Sequence, residues 1–271
     1  LPRVTLALLR DERSRANMVE AGLPPWNSEV VADAAFALAI PDAMTGRRDR
    51  ASRSDFQVAV SVRSWMFPGH PSPDLAREAY AQSIVAAVTR LVRTHGASVT
   101  FLSTCQGVPQ YGYDDAAFAR SVATRLPAEI AAHVRIDDVF HTPGQLQARL
   151  AGFDMIIATR MHMAILGLGA GTPVLPIAYE FKTKELFATL ALGEWSLDID
   201  SLSPDRVCDH VESFIGQLDT IQPQLAQSVL QQHRSAFSVA PRLALIVRAK
   251  ATSPAGSRSQ SPTPAAAWRH G

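Results

Sequence analysis

Short apolar runs rich in β-branched residues alternate along this chain with longer segments in which apolar and polar positions recur at helical spacing. The short runs predict strands at residues 4–9, 29–32, 56–62, 98–102, 134–136, 154–158 and 173–177. The longer segments predict helices at residues 12–21, 74–95, 114–126, 143–151, 161–168 and 204–250, the last with a break at Pro223. Such an alternation is typical of an α/β fold, in which helices flank a mostly parallel sheet with right-handed crossovers.

Two segments interrupt this alternation. Residues 41–55 are charged and rich in turn-forming residues, which predicts a domain junction there. Residues 251–271 contain no acidic residue and no Leu, Ile, Val or Phe, and Ser, Pro and Ala dominate them. Such a segment can bury too little apolar surface to offset the entropy of ordering, so we expect a disordered tail.

Composition and charge exclude several functional classes. With 271 residues, 47% of them hydrophobic, the chain can bury one large core or two modest ones. With a net charge of +1, the chain lacks the strong positive charge that is typical of nucleic-acid-binding proteins, so we expect no nucleic acid partner. The longest apolar stretch, residues 163–178, is too short and too rich in Gly and Pro to span a membrane. Only Cys105 and Cys208 are present and no secretory leader is visible, which favours a reducing, cytoplasmic compartment.

Polar residues that suit an anion follow several of the predicted strands. Parallel strands deliver their carboxyl ends to one edge of the sheet, where ligands usually bind. We therefore expect one site that contacts substrate through Arg63, Gln106, Arg160, His162, Tyr179, Glu180 and Lys182. A guanidinium group is always charged and offers paired donors that match a carboxylate or phosphate. The start of helix 161–168 adds unpaired amide groups, so the sequence predicts an anion-binding edge.

Some of these residues also have a structural interpretation. Arg63 could cover the nearby Trp65, and Lys182 could be a solvated residue in the first turn of a helix. A lone histidine such as His162 is often a hydrogen-bonded structural residue. Its place two residues after Arg160, at the start of a helix, favours proton transfer instead.

Other patterns are better explained by structure than by chemistry. Asp114 and Asp115 are interpreted as the N-terminal cap of a helix, where carboxylates complement the helix dipole. The glycines of residues 167–171 have the wrong spacing for a phosphate-binding loop. We interpret them as the turn that separates a helix from the following strand. Histidines such as His95 and His133 lack metal-ligand spacing, so we expect no metal site.

A set of short motifs recurs in a fixed order along the chain. They are Arg10–Ser14 (RDERS), Asp33–Phe36 (DAAF), Ser61–Arg63 (SVR), Asp154–His162 (DMIIATRMH), Gly171–Val174 (GTPV) and Tyr179–Lys182 (YEFK). Each motif is short, but together their order and spacing over residues 6–192 resemble the polysaccharide pyruvyl transferase family. Met161 stands where that family more often has Leu, which is a volume-conserving change.

This resemblance implies a glycosyltransferase-B-like (GT-B-like) arrangement of two Rossmann-like halves. Residues 51–250 would form the C-terminal, donor-binding half. Residues 1–50 would be a linker and the remnant of a truncated N-terminal half, because the glycine- and asparagine-containing turn typical of the family has no counterpart before Leu1. The implied reaction moves the enolpyruvyl group of phosphoenolpyruvate onto sugar hydroxyls, forming a pyruvate ketal in cell-surface polysaccharide synthesis.

The resemblance also implies partners and residue roles. The partners would be phosphoenolpyruvate and a glycan or lipid-linked sugar acceptor, with no metal or organic cofactor. Arg63 and Arg160 would bind the carboxylate and phosphate of the donor, and His162 would act as acid and base. Lys182 would assist in donor binding.

Two other functions stay open at this point. One is a nucleotide-sugar-dependent GT-B glycosyltransferase, in which Glu180 would hold a ribose. The other is a non-catalytic domain that binds anionic sugars. The sequence carries no signal for an oligomeric state. We expect a cytoplasmic location, with peripheral attachment to the inner membrane face as a second setting.

Overall fold

A computed structural model of the protein describes residues 4–45, 55–106 and 114–252. The chain divides into two compact units, residues 1–237 and residues 238–271. All the strands described here lie in the larger unit. In the smaller unit, the described residues are helical.

Two of the predicted segments lie largely outside the described residues. The expected disordered tail at residues 251–271 is described only as far as Thr252. The expected domain junction at residues 41–55 is described only at its two ends. The division of the chain at residue 50 therefore stays a prediction.

The strands of the described chain form two parallel sheets. They are β1 (Ala7–Leu9), β2 (Ser28–Val30), β3 (Gln57–Ser61), β4 (Ser98–Leu102), β5 (Val134–Asp137), β6 (Met155–Ala158), β7 (Val174–Ala178) and β8 (Leu197–Asp198). β1 pairs with β2, and the others form a six-stranded sheet in the order β5-β4-β3-β6-β7-β8. Every neighbouring pair is parallel, which confirms the predicted α/β fold.

Helices connect consecutive strands and cover the sheet. They are α1 (Glu12–Glu20), α2 (Pro41–Thr45), α3 (Pro73–His95), α4 (Asp115–Ala123), α5 (Ala128–Ala131), α6 (Pro143–Leu150), α7 (Met161–Gly169), α8 (Phe181–Thr189), α9 (Pro204–Gly216) and α10 (Leu218–Thr252). Short 3₁₀ turns occupy Pro25–Asn27, Ala34–Leu38, Gly193–Trp195 and Ile199–Ser201. α3 ends where the sequence predicts, because Gly96 adopts a left-handed φ of 59° that terminates the helix.

The order of the strands creates a topological switch point between β3 and β6. From β3 the chain moves outward through β4 to β5, then returns to β6 and moves outward the other way through β7 to β8. β3 and β6 are neighbours, with Ser61 paired to Ala158 at their carboxyl ends. The loops that leave these two strands diverge, and the crevice between them is where ligands bind in open α/β sheets.

The centre of the large sheet is apolar on both faces. Every residue of β6 and β7 is buried. Such continuous apolar strands are typical of parallel sheets covered by helices on both sides. The edge strand β5 contains no buried residue and alternates apolar with charged side chains. The two strands at the switch point, β3 and β6, thus lie in the buried core of the sheet.

α7 lies close to the sheet because it contains glycines. A Cβ atom at Gly167 would lie 2.3 Å from Cδ1 of Ile156, and one at Gly169 would lie 3.3 Å from Cα of Ala39. The interpretation of residues 167–171 as a turn between a helix and a strand was thus incomplete. Gly167 and Gly169 lie within the helix, and only Gly171, with a φ of 73°, forms the turn.

We expect Gly167→Ala to lower the free energy of unfolding by about 1–3 kcal/mol, the typical cost of overpacking a core. Chemical denaturation measures this loss. Adding Ile156→Val removes the methyl group that clashes and should recover part of it. Gly144→Ala is the matched control, because nothing lies within 4 Å of a Cβ atom there. An equal loss in both glycine variants would contradict the close packing of α7.

The predicted break at Pro223 is wrong, because α10 continues through this residue. Ile221, Leu225 and Val229 recur at helical spacing and are all buried. Packing of this face offsets the backbone hydrogen bond that proline cannot donate.

A helix that crosses a bilayer must be both long and apolar. None of the helices in the described ranges meets both requirements. Within those same ranges, no group of three or more His, Cys, Asp or Glu side chains is placed to hold a metal ion.

Candidate active site

A cavity of about 590 Å³ opens at the carboxyl edge of the sheets. Its walls come from the segments that follow β1, β4, β5, β6 and β7, together with the 3₁₀ turn Ala34–Leu38. All but one of the substrate-contacting residues predicted from sequence line it, namely Gln106, Arg160, His162, Tyr179, Glu180 and Lys182. The cavity also receives Arg10, which follows β1 in the small sheet. The carboxyl ends of both sheets therefore contribute to one site.

Arg63 lies beside this cavity and not in its lining. Its guanidinium group stacks 3.9 Å from the ring centroid of Tyr179 and 4.6 Å from that of Trp65. The two rings lie 4.7 Å apart and are tilted to each other. Tyr179 lines the cavity, so Arg63 supports its wall from behind. The Nε atom of Arg63 is buried without a hydrogen-bond partner among the described residues.

Burial and charge also act on the phenol of Tyr179. Burial is the main cause that raises its pKa above the ordinary value, and the nearby charge of Arg63 opposes this effect. Tyr179 is therefore neutral at physiological pH. It offers the cavity a hydroxyl group rather than a negative charge.

Arg160 is held by a bidentate ion pair with Asp115. Nε and Nη2 of the guanidinium donate to Oδ2 and Oδ1 of Asp115 at 2.6 Å and 2.9 Å. The carboxylate is 1% exposed and the guanidinium 16% exposed. Burial lowers the pKa of Arg160, but the hydrogen bonds and charge of Asp115 outweigh it, and the pKa is raised overall. Arg160 thus presents a permanently charged group in a fixed orientation.

Asp115 connects several loops of the carboxyl edge. Besides Arg160, its carboxylate accepts a hydrogen bond from the amide of Ser64 at 3.3 Å, and its own amide donates to the carbonyl of Cys105 at 3.0 Å. The helix cap is Asp114 alone, which accepts from the amide of Ala117. Asp115 lies in the first turn of α4, as the sequence predicts, but its carboxylate pairs with Arg160 instead of capping the helix. Its burial is a tertiary feature that the local sequence does not reveal.

The switch point itself is fixed by a buried tyrosine. The hydroxyl of Tyr80 lies 2.8 Å from Oγ1 of Thr159 and accepts a hydrogen bond from the amide of Arg63 at 3.2 Å. Burial raises the pKa of Tyr80 to about 12. This side chain joins the loop that leaves β3 to the loop that leaves β6. It holds the backbone at the origins of Arg63 and Arg160 in register.

His162 stands at the start of α7 and is 59% exposed, so it is accessible to a ligand. Its Nε2 atom lies 3.9 Å from Oδ2 of Asp33. Asp33 is itself held by Arg10, whose Nη1 donates to the same oxygen at 3.1 Å. Asp33 belongs to the motif at residues 33–36, but its place in the site could not be predicted from the sequence. The carboxylate is close enough to help orient the imidazole.

Lys182 completes the cationic side of the cavity. Its Nζ atom lies 3.8 Å from Oε2 of Glu180, and both side chains are about two-fifths exposed. Phe181, between them in sequence, packs under the guanidinium group of Arg13 at 4.3 Å. Lys182 is thus neither buried nor tightly paired, and it remains free to turn toward an anion in the cavity.

The fold and the site define a class of protein: a GT-B-like α/β protein with an anion-suited cavity at its switch point. The family model for polysaccharide pyruvyl transferase matches residues 1–180, and the chain belongs to that family. The amylovoran biosynthesis protein AmsJ of Erwinia amylovora is 26% identical over 235 residues, covering 85% of this chain and 56% of AmsJ. The chain thus spans little more than half the length of this curated relative.

Solved structures confirm the fold. The α,α-trehalose 6-phosphate synthase of Burkholderia multivorans matches with a TM-score of 0.56 and 12% identity, over 94% of this chain and 61% of that one. MnaA of S. aureus, solved with UDP, matches with a TM-score of 0.59 and 10% identity, over 92% of this chain and 61% of that one. At such low identity the similarity shows a shared fold only. The function must be inferred from the residues of the site.

Proposed function

We propose that this chain is a pyruvyl transferase, which moves the enolpyruvyl group of phosphoenolpyruvate onto a pair of sugar hydroxyls and forms a pyruvate ketal. The observation that carries the proposal is the convergence of Arg10, Arg160, His162 and Lys182 on one cavity. Membership of the family supports it. The acceptor would be a glycan or lipid-linked sugar of cell-surface polysaccharide synthesis, and the cytoplasm, or the inner face of the membrane, is the proposed location.

Donor binding follows from charge. Phosphoenolpyruvate carries a carboxylate and a phosphate, and both need cationic or amide donors when they leave water. Arg160 supplies a fixed guanidinium at the start of α7, where the first-turn amides also lie. Lys182 supplies a flexible ammonium group from α8. Arg63 remains a proposed donor-binding residue, which would have to leave its stack on Tyr179 to make direct contact.

The proposed reaction balances with the groups in the cavity. The imidazolium of His162 gives a proton to the methylene carbon of the donor, which creates an oxocarbenium-like centre at the neighbouring carbon. One sugar hydroxyl attacks that centre and loses its proton to the imidazole. The carbon–oxygen bond to phosphate then breaks, and inorganic phosphate leaves. The second hydroxyl closes the ketal, and its proton departs with the phosphate.

Nothing in this sequence of steps requires a metal or an organic cofactor. The donor already contains the activated enol ether and the leaving group. Cations fixed at the carboxyl edge stabilise the negative charge that develops on the departing phosphate. The cavity holds donor and acceptor side by side, which removes the entropy cost of bringing them together during reaction.

A nucleotide-sugar-dependent glycosyltransferase is the second candidate. Glu180 lines the cavity, where its carboxylate could accept hydrogen bonds from the hydroxyls of a ribose. This alternative predicts binding of UDP or a UDP-sugar instead of phosphoenolpyruvate.

Isothermal titration calorimetry of the purified chain with phosphoenolpyruvate and with UDP separates the two candidates.

We expect Lys182→Ala to weaken phosphoenolpyruvate binding about 10- to 100-fold, since a hydrogen bond to a charged group contributes roughly 1.5–3 kcal/mol. The matched control is Lys184→Ala, because Lys184 lies in the same helix but pairs with Asp198 at 2.5 Å, away from the cavity. Binding of UDP alone, or equal effects of the two lysine variants, would overturn the proposal.

A further inference from the structure

Apolar as well as cationic side chains line the cavity. The cations described above come from the segments that follow β1, β6 and β7. The apolar wall comprises Leu38, Phe140, Pro143, Leu146 and Leu166. The donor is a small, highly charged molecule with no apolar surface that would favour this wall. The apolar wall therefore suits a different occupant.

Phe140 is the most unusual residue of that wall. Its side chain is 77% exposed, although burying a phenylalanine normally stabilises a fold. The loop that carries it is nevertheless well fixed. Oδ1 of Asp137 accepts from the amide of Val139 at 3.3 Å and lies 3.0 Å from Nε2 of His141, and Oδ2 pairs with Arg149. An ordered loop thus presents an aromatic face at the rim of the cavity.

The charge balance around Asp137 supports a fixed loop. Partial burial raises the pKa of this carboxyl, but its hydrogen bond with His141 and the charge of Arg149 lower it more, and the pKa is depressed overall. Asp137 is therefore ionised at neutral pH. It keeps its hydrogen bonds under the conditions in which a ligand would bind.

Gln106 provides a hydrogen-bonding group beside the aromatic face. Its Nε2 donates to the carbonyl of Val139 at 2.8 Å, which ties the segment after β4 to the loop of Phe140. Its Oε1 is buried and accepts no hydrogen bond within the described part of the chain. A buried acceptor without a donor is costly, so this oxygen is suited to a hydroxyl group that a ligand supplies.

The cavity also has the space for two ligands. At about 590 Å³ it has the size of sites that enclose drug-sized molecules. Phosphoenolpyruvate has only ten non-hydrogen atoms, so it would fill a minor part of this volume. Phe140 and Gln106 belong to the same lining, so the remaining volume is available to a second ligand that contacts them.

We infer that Phe140 and Gln106 form a subsite for an uncharged pyranose ring, with the C–H face of the sugar packed on Phe140 and one hydroxyl donating to Oε1 of Gln106. This inference rests on the proposed function and deepens it, because the ring would be that of the acceptor. An aromatic platform with an adjacent acceptor matches a sugar, which has one apolar face and a rim of hydroxyl groups. No cation is needed for this recognition.

Saturation-transfer NMR with a panel of methyl pyranosides tests the subsite. The panel comprises the methyl glycosides of glucose, galactose, mannose and N-acetylmannosamine, each titrated in the presence of phosphoenolpyruvate. We expect at least one pyranoside to bind the unaltered chain, and its binding to weaken about tenfold in Phe140→Ala. Phe140→Tyr keeps the aromatic face and should restore binding. Gln106→Ala should weaken binding separately.

Phe237→Ala is the matched control, since Phe237 is also an exposed phenylalanine but does not line the cavity. It should leave pyranoside binding unchanged. The subsite is contradicted if no pyranoside binds the unaltered chain, or if Phe140→Ala and Phe237→Ala bind equally well. It is also contradicted if UDP, and no pyranoside, loses affinity in Phe140→Ala, which would assign the platform to a nucleotide base.

The same titrations separate this inference from the proposed function. Calorimetry with phosphoenolpyruvate should give the same affinity for the unaltered chain and for Phe140→Ala, because the cationic side chains of the cavity are untouched. Pyranoside binding that depends on Phe140 while phosphoenolpyruvate fails to bind would support the subsite and refute pyruvyl transfer. Phosphoenolpyruvate binding without any pyranoside binding would refute the subsite and leave the proposed donor intact.

Discussion

Replacing His162 with Ala is expected to lower turnover by about 10²- to 10⁴-fold, the usual contribution of a general acid, while phosphoenolpyruvate still binds. The reason is the placement of the imidazole at the exposed start of α7, in the lining of the cavity and 3.9 Å from the carboxylate of Asp33. The second imidazole in the lining, that of His141, is engaged by Asp137 at 3.0 Å, so we expect it not to replace His162 as the proton donor. Release of inorganic phosphate from phosphoenolpyruvate in the presence of sugar acceptors measures turnover, and calorimetry measures binding.

His133→Ala provides the control for this experiment. His133 is exposed and lies between α5 and β5, outside the lining of the cavity. Its replacement should leave both measurements unchanged. Undiminished phosphate release by His162→Ala would refute proton transfer by this residue. A loss of phosphoenolpyruvate binding in the same variant would reassign His162 to donor binding.

Replacing Asp115 with Ala is expected to lower the free energy of unfolding by about 3–5 kcal/mol, because it leaves the largely buried guanidinium of Arg160 without its partner. The pair is bidentate and the carboxylate is 1% exposed, so water cannot replace it without rearrangement. Phosphoenolpyruvate binding should weaken as well, since Asp115 fixes the orientation of Arg160. Chemical denaturation and calorimetry measure the two effects.

Two further variants identify the cause of this loss. Asp138→Ala removes an exposed carboxylate that pairs with Arg120 at 3.2 Å, and it should cost less than about 1 kcal/mol. Adding Arg160→Met to Asp115→Ala removes the stranded charge and should recover part of the lost stability. If Asp115→Ala costs no more than Asp138→Ala, the carboxylate does not hold Arg160 in a low-dielectric setting.

The fold could be predicted largely because its signals are local. Central strands such as β6 and β7 are short, apolar and β-branched, and α3 ends at a glycine. Local signals failed where tertiary packing decides. α10 continues through Pro223 because Ile221, Leu225 and Val229 pack in the core. The local sequence alone does not show that this packing outweighs the cost of the proline.

The site could be predicted only in part, for the same reason. Parallel strands bring their carboxyl ends together, so Arg160, His162 and Lys182 could be assigned to one edge from sequence alone. The pairing of Arg160 with Asp115 could not be predicted, because the two residues are 45 positions apart in the sequence. The role of Asp33 could not be predicted from the sequence, because Asp33 follows a strand of the small sheet. No local sequence pattern indicates how the small sheet packs against the large one.

A crystal structure of this chain soaked with phosphoenolpyruvate would show the donor site directly. We expect the donor in the cavity at the switch point, with its anionic groups within hydrogen-bonding distance of Arg160 and Lys182 and its methylene carbon facing His162. Phosphoenolpyruvate bound elsewhere, or an empty cavity at saturating concentration, would contradict pyruvyl transfer at this site.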